Sequence, residues 1–158
     1  MTLFHGSYLA VEKPDIAFSR ANVDFGKGFY TTPLWEQAAS WANRFKRVKG
    51  QGVVSSYRLD VEALRSTANI LTFSENSEEW LDFIVTCRRG ESMDGYDVVI
   101  GGVANDKVFD TIQLFLDGLI DRAESIKRLR YDKPNIQYCF RNQATLDAHL
   151  TFVQSEVL

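Results

Sequence analysis

The stretch DFGKGFYTT, residues 24–32, places two glycines around a lysine and follows them with two aromatic residues and two threonines. Glycine inside a strand costs backbone entropy and leaves no side chain to pack. A chain accepts that cost at a bulge, at a sharp turn, or where another group must approach the main chain closely. The stretch therefore predicts a turn leading into a strand, with a close approach to its main chain.

Strands and helices are interleaved along the chain without a repeated β–α–β rhythm. Helical spacing of apolar residues predicts core positions at Trp80, Phe83 and Ile84. Helices are predicted over 33–50, 77–89 and 107–120, with a helical turn over 142–150. Strands are predicted over 2–8, 52–61, 69–73, 96–106, 135–141 and 150–157. This irregular order predicts an α+β fold in a single domain covering residues 1–158.

The composition is that of a soluble globular protein. The 158 residues are 45% hydrophobic and carry a formal net charge of −3, so no global basic field attracts nucleic acid. Cys87 and Cys139 lie in apolar runs without metal-like spacing, which predicts buried free thiols in a reducing compartment. Because signal-peptide features and a span of about 20 apolar residues are missing, we expect a cytoplasmic protein without a membrane partner.

Two short motifs carry a resemblance to a known family. The segment HGS, residues 5–7, is followed by FGKGFY at 25–30 and by a helix that bears Trp41. Together they resemble the NAD-binding half of the ADP-ribosyltransferases, in the diphtheria-toxin-like branch that includes the poly(ADP-ribose) polymerases. The resemblance covers residues 3–8 and 24–41 and, more weakly, 135–153. The chain also resembles a small bacterial toxin-like family, catalogued as a domain of unknown function and grouped with toxin–antitoxin loci.

The resemblance implies a split β-sheet core with flanking helices and an NAD+ cleft between two small sheets. In that fold the main chain of Gly6 clamps the nicotinamide carboxamide. Tyr30 and Trp41 sandwich the nicotinamide ring, and His5 bonds a ribose hydroxyl. Ser7 helps to hold the amide or the ribose. His5 and Tyr30 are thereby predicted to be catalytic.

Further cofactor-binding positions surround the glycine turn. Arg20 is a candidate for the pyrophosphate, since guanidinium matches phosphate oxygens bidentately, and Lys27 could do similar work. Gly28 and Phe29 are included in the predicted cofactor-binding set. The structural alternative is that Arg20 and Lys27 are ordinary surface cations. No metal site is predicted.

The third catalytic position departs from the family pattern. The polymerases have a glutamate on a strand near the C-terminus, and the matching residue here is Gln137. A glutamine can orient a ribose hydroxyl, but it carries no charge and cannot act as a base. Gln137 is therefore predicted to support a single transfer in place of chain elongation. The alternative is a solvent-facing strand residue.

The loop after the predicted strand at 96–106 offers two polar residues near the expected cleft. Asn105 is interpreted first as the cap of the following helix, and the alternative is a contact with NAD+ or the acceptor. Asp106 is a candidate base that would replace the carboxylate missing at Gln137.

These features predict a mono-ADP-ribosyltransferase that transfers ADP-ribose from NAD+ to an unknown acceptor, a protein, nucleic acid or small molecule. The family resemblance implies a bacterial toxin silenced by an antitoxin protein. Three alternatives stay open. They are an NAD+ glycohydrolase, a non-catalytic module that binds NAD+, ADP-ribose or a partner, and an RNA phosphotransferase on the same fold, against which the acidic pI near 5.4 argues.

Overall fold

A computed structural model describes residues 1–91, 93–104, 106–130 and 135–158, with Asp106 described by its main chain alone. The strands are β1 (Thr2–Ser7), β2 (Phe29–Thr31), β3 (Val53–Leu59), β4 (Ile70–Thr72), β5 (Val98–Gly102), β6 (Ile136–Phe140) and β7 (Leu150–Val157). The helices are α1 (Trp35–Lys49), α2 (Val61–Thr67), α3 (Glu78–Arg88), α4 (Asp106–Leu116), α5 (Arg122–Leu129) and α6 (Gln143–His149). A 3₁₀ helix covers Ile16–Phe18.

The strands form two small sheets. One sheet has three strands in the order β1-β3-β7, and the other has four in the order β2-β6-β5-β4. All pairings are antiparallel except that of β4 with β5, which are joined by α3 and run parallel. The α+β class predicted from the irregular order of elements is confirmed, and so is the presence of two small sheets.

The hydrophobic core is divided between the two faces of the four-stranded sheet. On one face, Phe29, Val98 and Phe140 pack against the three-stranded sheet. On the other face, Val99 and Cys139 pack against residues of α3, α4 and α5. The predicted core residues Trp80, Phe83 and Ile84 lie in this second cluster at 0%, 2% and 0% exposure.

Helix α1 packs on the three-stranded sheet through alanines. Ala38, Ala39 and Ala42 are buried, whereas Trp35, which shares their helical spacing, is 37% exposed. The helix begins at Trp35, with Leu34 as its N-cap and Pro33 one position earlier. It ends at Gly50, which has a left-handed φ of 79° that favours glycine.

Side-chain caps mark the starts of α3 and α2. The Ser77 hydroxyl accepts a hydrogen bond from the Trp80 amide at 3.2 Å, so Ser77 and not Asn76 caps α3. Helix α2 was not predicted, and the Asp60 carboxylate caps it by accepting from the Ala63 amide at 3.1 Å.

Cys87 and Cys139 are buried free thiols, as predicted. Among the described residues, we find no helix with the length and apolarity needed to cross a membrane.

Candidate functional site

The two sheets meet at β1 and β2 and then diverge. Phe4 of β1 and Thr32, just after β2, exchange two main-chain hydrogen bonds of 2.8 and 2.9 Å. This bridge is isolated, so the next antiparallel pair, Gly6 with Tyr30, does not form. Main-chain groups two residues apart on a strand point to the same side. The N–H and C=O of Gly6 are therefore directed away from β3, into the gap between the sheets.

The imidazole of His5 occupies part of this gap. Its Nδ1 lies 2.7 Å from the Tyr30 carbonyl oxygen. Because a carbonyl oxygen only accepts, Nδ1 carries the hydrogen, and in the neutral ring Nε2 is a hydrogen-bond acceptor. The ring packs beside Phe29, with 4.5 Å between the ring centroids. Burial lowers the pKa of His5 and outweighs the opposing effect of the bond to Tyr30, so the neutral form is favoured.

The lowered pKa of His5 predicts acid-sensitive folding. In the unfolded chain His5 has a pKa near the ordinary value of 6.5, whereas in the folded chain its pKa is lower, so the ring resists protonation. Stability from this residue is thus present above pH 6.5 and lost as the pH falls below it, by about 1.4 kcal/mol per unit of pKa difference. Thermal melts from pH 7.5 to 5.5 should show a shallower loss for His5→Gln than for wild type. Equal slopes would contradict this assignment, and His149→Gln controls for removal of a histidine.

Gly6 is required as glycine by α1. A Cβ atom there would overlap the Ala38 carbonyl oxygen and lie 2.9 Å from the Ala42 amide nitrogen. The absence of a side chain at Gly6 therefore allows α1 to pack closely against one face of β1. The main-chain N–H and C=O of Gly6 lie in the plane of the sheet and remain directed into the gap.

Tyr30 lies on β2 directly opposite Cys139 of β6. Its hydroxyl donates to the Gly26 carbonyl at 2.6 Å and accepts from the Phe25 amide at 3.0 Å. Burial raises the pKa of Tyr30 well above its ordinary value. The hydroxyl is thus a neutral group that holds the glycine turn, and the side chain packs against the core cluster that includes Cys139.

The turn explains both glycines of the opening motif. Gly26 has a left-handed φ of 74°, which places the turn at this residue. A Cβ on Gly28 would lie 2.5 Å from the Cys139 thiol and 2.7 Å from the Phe140 carbonyl oxygen. The group that approaches Gly28 closely is therefore strand β6. Phe29 points into the core between the sheets, so the cofactor roles predicted for both residues have no support from contacts.

The remaining predicted cofactor residues differ in their surroundings. Trp41 lies within the Ala38–Ala42 turn of α1 that covers Gly6. It is 43% exposed, and the Arg44 guanidinium lies 4.7 Å from its ring centroid. Ser7 is buried and shares the His5 face of β1. Arg20 is exposed in the loop before the turn. Asn105 lies outside the described residues, as does the side chain of Asp106.

Gln137 is 7% exposed, so the predicted alternative of a solvent-facing strand residue is wrong. It lies two residues before Cys139 on β6, which places it on the same face of the sheet as Tyr30. Its Nε2 donates to Asp24 Oδ2 at 3.1 Å and to the Gly102 carbonyl at 3.2 Å. The three predicted catalytic residues therefore lie on three successive strands, but not on one face. Tyr30 and Gln137 share the helix-covered face of the four-stranded sheet, whereas the His5 ring lies beside Phe29 on the opposite face and bonds the Tyr30 main chain.

Asp24 is the residue that sequence reasoning missed. It opens the DFGKG motif, is 9% exposed, and forms an ion pair of 2.5 Å with Arg88. A carboxylate directly before the turn was a signal in the sequence, but nothing local placed it beside Gln137, 113 residues away.

Two clefts lie apart from this site. One, of about 300 Å³, lies beside the glycine turn and is lined by Lys27, Cys87, Tyr96 and Arg141, among others. The other, of about 750 Å³, is lined by α5 residues and Glu78. Neither includes His5, Tyr30 or Gln137. What distinguishes the candidate site is the direction of its hydrogen-bonding groups.

Comparison with known proteins gives one result. A family model described as "Protein of unknown function (DUF3990)" matches residues 1–152. Neither the curated proteins nor the solved structures yielded a match.

Proposed function

We propose that this chain, which belongs to the DUF3990 family of proteins of unknown function, is a mono-ADP-ribosyltransferase that uses NAD+ as its cosubstrate. The reaction breaks the bond between nicotinamide and ribose, and the bonding electron pair leaves with nicotinamide. The ribose C1′ becomes cationic in character and is attacked by an acceptor nucleophile, which loses a proton. The observation that carries the proposal is the divergence of β1 and β2 at Gly6 and Tyr30.

Gly6 offers the pair of groups that a primary carboxamide needs. A carboxamide has one carbonyl acceptor and an NH₂ donor on neighbouring atoms. The N–H of Gly6 can donate to the carbonyl, and its C=O can accept from the NH₂. β1 is the edge strand of its sheet, so beyond the Phe4–Thr32 bridge these two Gly6 groups have no partner strand, and a planar amide ligand can take both.

His5 and Gln137 supply hydrogen-bond acceptors for the ribose. With Nδ1–H held by Tyr30, Nε2 of neutral His5 can accept from a ribose hydroxyl. Gln137 donates both amide hydrogens within the protein, so its Oε1 can only accept. Two fixed acceptors orient a sugar that has two hydroxyl donors, and positioning of this kind lowers the barrier to cleavage.

Aromatic side chains supply the walls of the proposed nicotinamide site. The hydroxyl of Tyr30 is held by the glycine turn, which fixes the plane of its ring. Trp41 presents a half-exposed ring on the helix that covers Gly6. A positively charged pyridinium ring gains from contact with an aromatic face.

Release of nicotinamide from NAD+ tests the proposal directly. We expect wild type to release nicotinamide, and His5→Ala and Trp41→Ala to lower kcat/KM about tenfold or more, since one lost stacking or hydrogen-bond contact corresponds to about 1.4 kcal/mol. Trp35→Ala is the matched control, because Trp35 is a similarly exposed tryptophan on the same helix. Nicotinamide is measured by chromatography, and lysate incubated with adenylate-labelled NAD+ reports the acceptor.

The products separate the candidate functions. Labelled protein or nucleic acid supports a transferase and identifies its acceptor class, whereas free ADP-ribose without labelled macromolecule identifies an NAD+ glycohydrolase. A wild type that binds NAD+ or ADP-ribose without releasing nicotinamide is a non-catalytic module, an alternative that the neutral amide at Gln137 favours. Equal activity of wild type, His5→Ala and Trp41→Ala would overturn the proposed site. A toxin role with an antitoxin partner rests on the family resemblance alone.

A further inference from the structure

Asp24 is a buried carboxylate with four hydrogen-bond donors. Its Oδ1 accepts from Arg88 Nε at 3.2 Å and from Arg88 Nη2 at 2.5 Å. Its Oδ2 accepts from the Ala104 amide and from Gln137 Nε2, both at 3.1 Å. These donors come from α3, from the segment after β5, and from β6. The carboxylate therefore joins three elements behind the candidate site.

This arrangement fixes the orientation of the Gln137 amide. Its two neighbours, the Asp24 carboxylate and the Gly102 carbonyl, are both acceptors. The atom between them must be the nitrogen, and both of its hydrogens are used. Oε1 is consequently held at the other end of the amide, where it can only accept. A carboxylate that draws on the N–H end also increases the negative charge on the oxygen end.

We propose that Asp24 is a positioning residue for ribose recognition, which fixes Gln137 as a hydrogen-bond acceptor and places a negative group behind it. The inference rests on the proposed NAD+ cleavage. In it, Asp24 and Gln137 together replace the single glutamate of the transferases that this sequence resembles: the amide contacts the ribose hydroxyl, and the carboxylate orients and polarises the amide. Arg88 balances the buried charge through Oδ1, whereas Gln137 Nε2 bonds Oδ2.

The substitution Asp24→Asn disturbs this orientation without changing the size of the side chain. An asparagine has one acceptor atom and one NH₂. If its NH₂ faces Gln137, two donors meet and the Gln137 amide turns its nitrogen towards the site. If its NH₂ faces Arg88, two donors meet there and Gln137 keeps its orientation, but the negative group behind Gln137 is lost in both cases. Arg88→Met is the matched control, because it breaks the same ion pair but leaves the Asp24 carboxylate to accept from Gln137.

Nicotinamide-release kinetics and thermal melts of both variants test the inference. We expect similar losses of melting temperature, a decrease in kcat of about tenfold or more for Asp24→Asn, and a kcat for Arg88→Met within about threefold of wild type. If Asp24 acts through Gln137, adding Asp24→Asn to Gln137→Ala causes no further decrease. The charge-balanced pair Asp24→Leu with Arg88→Met, in which position 24 offers no acceptor to Gln137 Nε2, is compared with Arg88→Met and should show the same decrease of about tenfold in kcat.

The kinetic results distinguish failure of the Asp24 inference from failure of the proposed function. Equal kcat losses in Asp24→Asn and Arg88→Met, or additive losses with Gln137→Ala, would make Asp24 a structural residue only and leave the proposed function intact. A kcat for the pair Asp24→Leu with Arg88→Met equal to that of Arg88→Met alone has the same meaning. A wild type that neither binds nor cleaves NAD+ overturns the proposed function and this inference together.

Discussion

Gly6→Ala is expected to destabilise the protein by about 3 kcal/mol, a large effect for one added methyl group. The new Cβ would overlap the Ala38 carbonyl oxygen and lie 2.9 Å from the Ala42 amide nitrogen. These are main-chain atoms of a helix, so no side-chain rotation relieves the contact. Helix α1 has to move away from β1, and the packing of its buried alanines against Val54 is lost.

Urea unfolding followed by circular dichroism measures this effect. Gly50→Ala is the control, because its Cβ meets nothing within 4 Å although its φ is 79°. That variant should lose only the conformational cost of about 1 kcal/mol. If Gly6→Ala costs no more than Gly50→Ala, then α1 does not lie against β1 as closely as described here.

The elements with strong periodicity were predictable from the sequence, and the short helix α2 was not. Helix α3 follows from an apolar stripe and a serine cap, and β3 from alternating residues. Helix α2 has seven residues, of which only Leu64 is buried. So short a segment shows no repeating apolar spacing that would distinguish a helix from a loop. Its Asp60 cap was the one local signal available.

The face of α1 was only partly predictable. Its apolar stripe includes Trp35, yet the buried residues are three alanines. The reason is tertiary: Gly6 and Gly52 let the helix approach so closely that a Cβ on Gly52 would lie 2.5 Å from the Ala42 carbonyl oxygen. Only small side chains fit in such an interface, and no local pattern reports the distance between a helix and a sheet.

That the site residues lie near one another was predictable, but the contacts that require each residue type were not. Resemblance placed His5, Tyr30 and Gln137 in one region, and they do lie across three successive strands. It assigned the glycines to a ligand, whereas Gly28 admits β6 and the absent side chain of Gly6 admits α1. It also left the third catalytic position without a carboxylate, for which Asp106 was the predicted replacement. Asp24 supplies one through a contact across 113 residues, which depends on the completed fold.

Trp80→Ala should cost about 3–5 kcal/mol, the range for removing a fully buried tryptophan. Trp80 is 0% exposed, packs in the core beside α4 and α5, and donates from Nε1 to the Gly102 carbonyl at 3.3 Å. The same carbonyl accepts from Gln137, so the indole also secures the end of β5 behind the candidate site.

The two exposed tryptophans serve as controls for the buried one. Trp35 and Trp41 are 37% and 43% exposed, so their replacement by alanine should cost less than about 1 kcal/mol. Unfolding midpoints and slopes in urea separate stability from changes in compactness. Trp41→Ala should therefore lower nicotinamide release in a stable protein, whereas Trp80→Ala should lower it through unfolding. A cost below about 2 kcal/mol for Trp80→Ala would mean that the core collapses around the missing ring.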